Sequence, residues 1–275
     1  MNDAAKFQDS LIKITSKVGN VACPFGSAAI PLMVVLWFIF GQHSDMPFNT
    51  LPAWLINYNY WLSLLLQVTV CSAICQEYVV LGATKICFLL QLRMHFKHLK
   101  SNVQNILEVT EANEEIPWTY LQKKLKHLID YHFSIIKIAE QVETLFNKCV
   151  LTGFIVLSVF ICISMYAILS NPLFGPDFWR FIFYIFMTFM PFFADCFFSQ
   201  QVITESEELF SSYCAIDFVG TDLRFQKALL VLLGQGQRTI GFTIGKFAPL
   251  SIITIVTVLK TAFSYLTFLQ NMKGK

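Results

Sequence analysis

Charged side chains are scarce in this 275-residue chain. Asp, Glu, Lys and Arg together make up 14% of it, where a soluble domain has roughly a quarter. The net charge is only +2 and the basic residues do not gather into one patch, so nucleic acid is not an expected partner. Residues 1–20 are mixed and polar and lack the short apolar core of a secretory signal. No Asn-x-Ser/Thr acceptor occurs. There is no nucleophile elbow, P-loop or zinc motif and no convincing pair of catalytic carboxylates, so no enzyme, no catalytic residue and no cofactor are expected. The eight cysteines fall mostly inside or beside apolar segments. They read as small buried hydrophobes and not as a disulfide framework. Cys71 and Cys75 share a helix face but have no His or Asp partner, and His95/His98 and His127/His132 lack a third ligand. No metal site is expected from such sets.

Apolar residues are abundant instead, at 55% of the chain, with 28 phenylalanines. Five segments are long enough to cross a bilayer: residues 21–40, 61–82, 149–169, 178–198 and 247–269. The expected fold is an all-α integral membrane protein. Lysine and arginine orient it. The leader carries Lys6, Lys13 and Lys17, the link at 41–60 carries neither type, the link at 83–148 carries eight lysines and Arg93, and that at 170–177 has none. Arg224, Lys227, Arg238 and Lys246 precede the last span. The alternation places the N-terminus in the cytosol and the C-terminus outside. The layout expected is a cytosolic leader (1–20), two spans with an outer link (21–82), cytosolic helical extensions (83–148), two further spans (149–199), a cytosolic assembly segment (200–246), and a terminal helix with an outer tail (247–275). Trp54, Tyr58, Tyr60 and Trp61 in or near the first outer link have the character of interface anchors.

The cytosolic part reads as helix. Ile86, Leu89, Leu90, Phe96, Leu99, Val103 and Ile106 recur mostly at steps of three and four. After a polar break, so do Leu121, Leu125, Leu128, His132, Ile135, Ile136, Ala139, Val142 and Leu145. Such stripes need a partner, either the segment 205–233 or another subunit. Within the spans, Glu77, Asp195 and Lys260 are ionisable, and polar groups at membrane depth are costly unless paired or wet. The terminal span is unusual in this respect, with Lys260, Thr261, Ser264, Tyr265 and Thr267 in one apolar run.

From residue 205 onward the chain resembles an insect odorant receptor. The resemblance rests on Glu205-Ser206-Glu207-Glu208-Leu209, Tyr213, Arg224-Phe225, Lys227, Leu229, Gln237-Arg238, Gly245-Lys246-Phe247, Leu250, Leu259-Lys260-Thr261 and Ser264-Tyr265-Leu266-Thr267. Upstream, Leu51-Pro52-Ala53-Trp54 and the run through His132, Ile136, Glu143 and Phe146 also fit. Thr239 stands where a proline is common, and Asp217-Phe218 where a tryptophan is common. The family has seven spans, and the five here match its third to seventh. The two missing spans suggest an incomplete gene model, a spliced form or a degenerate gene. The resemblance implies a subunit of a ligand-gated, non-selective cation channel in the plasma membrane of olfactory neuron dendrites. Its partners would be a small hydrophobic odorant, the lipid bilayer and a shared co-receptor in a hetero-tetramer. Odorant contact is expected at Trp37, Phe38, Tyr60, Leu64, Tyr184 and Met187, and a pore lining or gate at Lys260, Ser264, Tyr265, Thr267, Phe268 and Met272. A gustatory receptor of the same superfamily, a non-functional truncated receptor and a secondary transporter are the rival readings.

Overall fold

The computed structural model describes residues 9–21, 24, 60–111, 118–170, 176–216, 222–237 and 240–273. The expected first span (21–40), and with it Trp37 and Phe38, lies almost wholly outside them. The elements are α1 (residues 9–21), α2 (Tyr60–Glu111), α3 (Trp118–Ser170), α4 (Pro176–Cys214), α5 (Leu223–Gly236), β1 (Thr243–Ile244), β2 (Ala248–Pro249) and α6 (Ile252–Lys273). Among the described residues the all-α expectation holds apart from one short antiparallel strand pair, in which Thr243 faces Pro249 and Ile244 faces Ala248.

Helix length is the first physical point. α2 has 52 residues and α3 has 53, so each extends about 78 Å at a rise of about 1.5 Å per residue. The hydrocarbon core of a bilayer is only about 30 Å thick. Each helix therefore has an apolar part that can cross a membrane and a polar part that must project beyond it. α2, α3 and α4 all contain stretches long and apolar enough to cross, and α6 carries a shorter apolar run, Ile252–Ser264. The terminal helix begins at Ile252 and not at 247, because 243–249 are occupied by the strand pair and its turn. Pro191 lies inside α4 without ending it. It has no N–H to donate, so the carbonyl of Met187 loses its ordinary helical partner.

The chain divides into two compact units. The first comprises Met1–Cys87, Leu157–Pro191 and Ala262–Lys275. Its described buried side chains include Ser63, Leu64 and Gln67 on α2, and Leu157, Ile161, Ser164 and Ile168 on α3.

The second unit comprises Phe88–Val156 and Phe192–Thr261. Its core is written in a three-and-four rhythm: Leu89, Leu92, Phe96, Leu99 and Val103 on α2, then Leu125, Leu128, His132, Ile135, Ala139 and Val142 on α3. Such a seam packs helices side by side. α4 adds Val202, Leu209 and Tyr213, and α5 adds Phe225, Leu229 and Leu232. The stripes thus find their partner within the chain, in the segment anticipated for it. Leu145 departs from the expected stripe and is exposed. Ion pairs fasten α2 to α4: Arg93 Nε donates to Glu205 Oε1 at 3.0 Å and its Nη1 to Gln201 Oε1 at 2.6 Å. Lys97 lies 3.4 Å from the same Glu205 oxygen, and Lys100 lies 2.7 Å from Glu208. α5 starts on Asp222, whose side chain accepts from the Arg224 amide as an N-cap. It ends at Gly236, where a Cβ would meet Phe210 and Tyr213.

Candidate functional site

The foot of α6 is the most specified polar site among the described residues. On α3, Glu143 and Asn147 are one helical turn apart and share a face. Thr243 of β1 donates to Glu143 Oε1 at 2.5 Å and accepts from Asn147 Nδ2 at 3.3 Å. The turn that follows uses two left-handed residues, Gly245 (φ 60°) and Lys246 (φ 66°). Glycine takes this conformation without strain, whereas lysine does not. Gly245 also comes so close to α3 that a Cβ there would stand 3.0 Å from the Leu151 methyls and 2.8 Å from Phe247. The Leu250 amide then donates back to the Phe242 carbonyl at 2.8 Å. Ser251 opens α6, with the Thr254 amide on its carbonyl at 3.1 Å and the Thr254 hydroxyl on the Pro249 carbonyl.

Beyond this foot α6 has little purchase. Leu250, Ser251 and Ile255 are buried, and none of residues 256–264, 267 and 268 is. Ile253, at 76%, and Phe263, at 66%, are among the most exposed apolar side chains. Lys260, Ser264, Thr267 and Phe268 are all exposed, and Tyr265 and Met272 lie on the same helix. At about 100° per residue, Ser264 lies about 180° around the helix from buried Ile255, with Lys260 about 140° to one side. The polar stripe therefore points away from the face that seats α6 on its own chain. The threonine hydroxyls have local partners: Thr257 bonds the Ile253 carbonyl, Thr261 that of Thr257 and Thr267 that of Ser264. The Lys260 ammonium has no such backbone route, so it carries most of the polar demand of this helix.

The residues expected to meet a ligand fall in the first unit, where described. Tyr60 opens α2, Leu64 is buried on it, and Tyr184 and Met187 are half-buried on α4. The rings of Phe181 and Tyr184 meet edge-on, with centroids 6.4 Å apart. Composition did not single out Ser63 and Gln67, which flank Leu64 on the same buried face. Their signal was a four-residue polar spacing inside an apolar run. Of the ionisable span residues, Asp195 is buried and Glu77 exposed.

The second unit also buries a histidine. The His132 and Tyr213 rings pack 5.7 Å apart, with Nδ1 and the hydroxyl 3.4 Å from each other. Burial pushes the His132 pKa down to about 4 and raises that of Tyr213, so both are neutral near pH 7. His95, 2.7 Å from the Tyr131 hydroxyl, is also shifted down, by burial and then by His98.

Residues 17–263 match the family described as 7tm odorant receptor. The chain belongs to the odorant receptor family. Among curated relatives in Drosophila melanogaster, putative odorant receptor 92a is 21% identical over 194 residues, covering 70% of this chain and 46% of that one. Odorant receptor 13a is 25% identical over 173 residues, covering 58% and 41% respectively. The chain spans about half the length of these relatives. The olfactory receptor OR5 of Machilis hrabei, solved in complex with eugenol, superposes with a TM-score of 0.70 at 14% identity, over 98% of this chain and 70% of that one. The fold is thus that of an insect olfactory receptor, and the protein is a multi-pass membrane protein. The residues that carried the family resemblance have structural work in this odorant receptor. Glu205 and Glu208 hold Arg93, Lys97 and Lys100 of α2, Leu209, Tyr213, Phe225 and Leu229 are buried, and Gly245-Lys246-Phe247 forms the turn before α6.

Proposed function

We propose that this odorant receptor is the odorant-recognising subunit of a heteromeric, ligand-gated, non-selective cation channel. It would act with the shared co-receptor, as a hetero-tetramer, in the plasma membrane of olfactory neuron dendrites. The observation that carries this reading is the terminal helix. α6 is anchored at its foot and presents Lys260, Ser264 and Thr267 on the face turned away from its own chain, which is where neighbouring subunits and a water-filled pore would lie. A secondary transporter would instead place its polar groups within a single chain, at broken helices between repeats.

The odorant is read as a small, largely apolar volatile. Leu64, Tyr184 and Met187, with Tyr60, Trp37 and Phe38, offer burial and aromatic contact, from which such a ligand gains most of its affinity. The similarity to a receptor solved with eugenol supports this ligand class. Opening then requires that the odorant bind the open state more tightly than the closed one. Phe268 and Met272, one turn apart on α6, form the apolar gate in this reading and close the pore by dewetting.

The test is whole-cell current from cells expressing the chain with the co-receptor. A panel of volatile alcohols, esters, aldehydes and phenols, eugenol included, is applied to them. Inward cation current that requires both chains is the expected result. Verified surface complexes that stay silent to the whole panel would contradict the receptor role.

A further inference from the structure

Resting on the channel reading above, we infer that Glu143 and Thr243 are positioning residues that link α3 to the pore helix, so that displacement of α3 is passed to the foot of α6. Four observations converge on this point. Thr243 binds Glu143 and Asn147 on consecutive turns of α3. Gly245 brings the following backbone against Leu151, one turn further along the same helix. The turn is held by two successive left-handed residues, one of them a lysine that spends conformational strain to be there. Finally, the buried residues at the start of α6 are Leu250, Ser251 and Ile255, and none of residues 256–264, 267 and 268 is buried, so its direction is set by this foot.

The geometry makes the link stiff. A two-residue strand pair spans little more than one hydrogen-bonded step and has no independent stability. Its shape is imposed from outside, by α3 through the Thr243 hydroxyl and by the close approach at Gly245. The apolar stretch of α3 begins within two turns of Glu143, and α6 starts nine residues after Thr243. A shift or rotation of α3 at residues 143–151 therefore carries β1, the turn and the first turn of α6 with it. Without the polar link, α6 would be seated by apolar contact alone and could slip.

The experiment compares Thr243→Val, which keeps the shape and removes the hydroxyl, with Thr243→Ser, which keeps the hydroxyl. Glu143→Ala is compared with Glu143→Gln, which keeps an acceptor. Currents are normalised to surface protein and elicited by whichever member of the volatile panel evokes the largest wild-type response. Thr243→Val and Glu143→Ala should raise EC50 or lower maximal current by roughly three- to tenfold. Thr243→Ser and Glu143→Gln should stay near wild type, and the double variant should be no worse than either single loss. In purified full-length protein, amide exchange at residues 250–256 should be faster in Glu143→Ala, a change on α3 read out on α6. Unaltered gating in all four variants overturns the inference, as does a loss of surface protein with normal gating in what remains. If wild type itself gives no current, the channel reading fails. The exchange measurement then decides the link alone, and unchanged protection at 250–256 refutes it.

Discussion

At His132, burial decides the chemistry. The unfolded chain takes up a proton near pH 6.5, but the folded chain does so only near pH 4. Between these values the unfolded state binds more protons, so the contribution of this residue is intact above pH 6.5 and is lost as the pH falls toward 4. We expect detergent-solubilised protein to lose about 1.4 kcal/mol per pH unit through that window from this side chain. Melting curves at successive pH values should show a shallower slope in His132→Phe; an unchanged slope would remove His132 as the cause. The sequence placed His132 in a stripe, but its neutrality depends on burial, in a core where it meets Tyr213, 81 residues away, and no local pattern contains that. Gly245 poses the opposite case. Gly245→Ala puts a side chain at φ 60° against Leu151, which should destabilise the protein by about 1–2 kcal/mol. The melting temperature measures it, and Gly234→Ala, with open space around its Cβ, is the control that should not fall.

At the level of elements, helix periodicity was readable and helix partners were not. The steps of three and four between residues 89 and 103 and between 125 and 142 mark the buried seam because a heptad leaves one face to cover. Leu145 continues the same rhythm yet is exposed, at 64%. There the neighbouring Glu143 and Asn147 turn toward Thr243, and the contact surface of α3 passes from an apolar seam to a polar link. Phe96→Ala on α2 should therefore cost about 3–5 kcal/mol, whereas Leu145→Ala should change stability by less than about 0.5 kcal/mol in the isolated chain. Chemical or thermal unfolding of purified protein distinguishes the two. The strand pair at 243–249 was not legible at all. Two-residue strands have no period, and the Gly-Lys turn signal lay inside a run that reads as the entrance to a span. The late start of α6 follows from it.

For the whole molecule, the proposed channel function rests on the terminal helix facing other chains. Replacing Phe268 or Met272 with serine should raise resting leak several-fold in a competent channel, because an apolar constriction that dewets becomes wettable. Holding current without odorant reports it, and unchanged leak in both variants would dismiss the gate. The proposed ligand residues were legible only as apolar and aromatic types, since lipid-facing and ligand-facing phenylalanines look alike in one dimension. The buried positions of Ser63 and Gln67 beside Leu64 emerge only in three dimensions. By itself the sequence determined the class, three of the membrane-crossing segments among the described residues and the helical stripes, because hydropathy and helical period are local properties that neighbouring residues set together. It also carried the family, through residues in the C-terminal third. Tertiary structure alone decided which stripe residues are covered, which histidine is held neutral and how the foot of α6 is tied to α3. Each of these depends on side chains brought together across some 80 to 110 residues of chain, and such distant pairing leaves no periodic mark on the sequence.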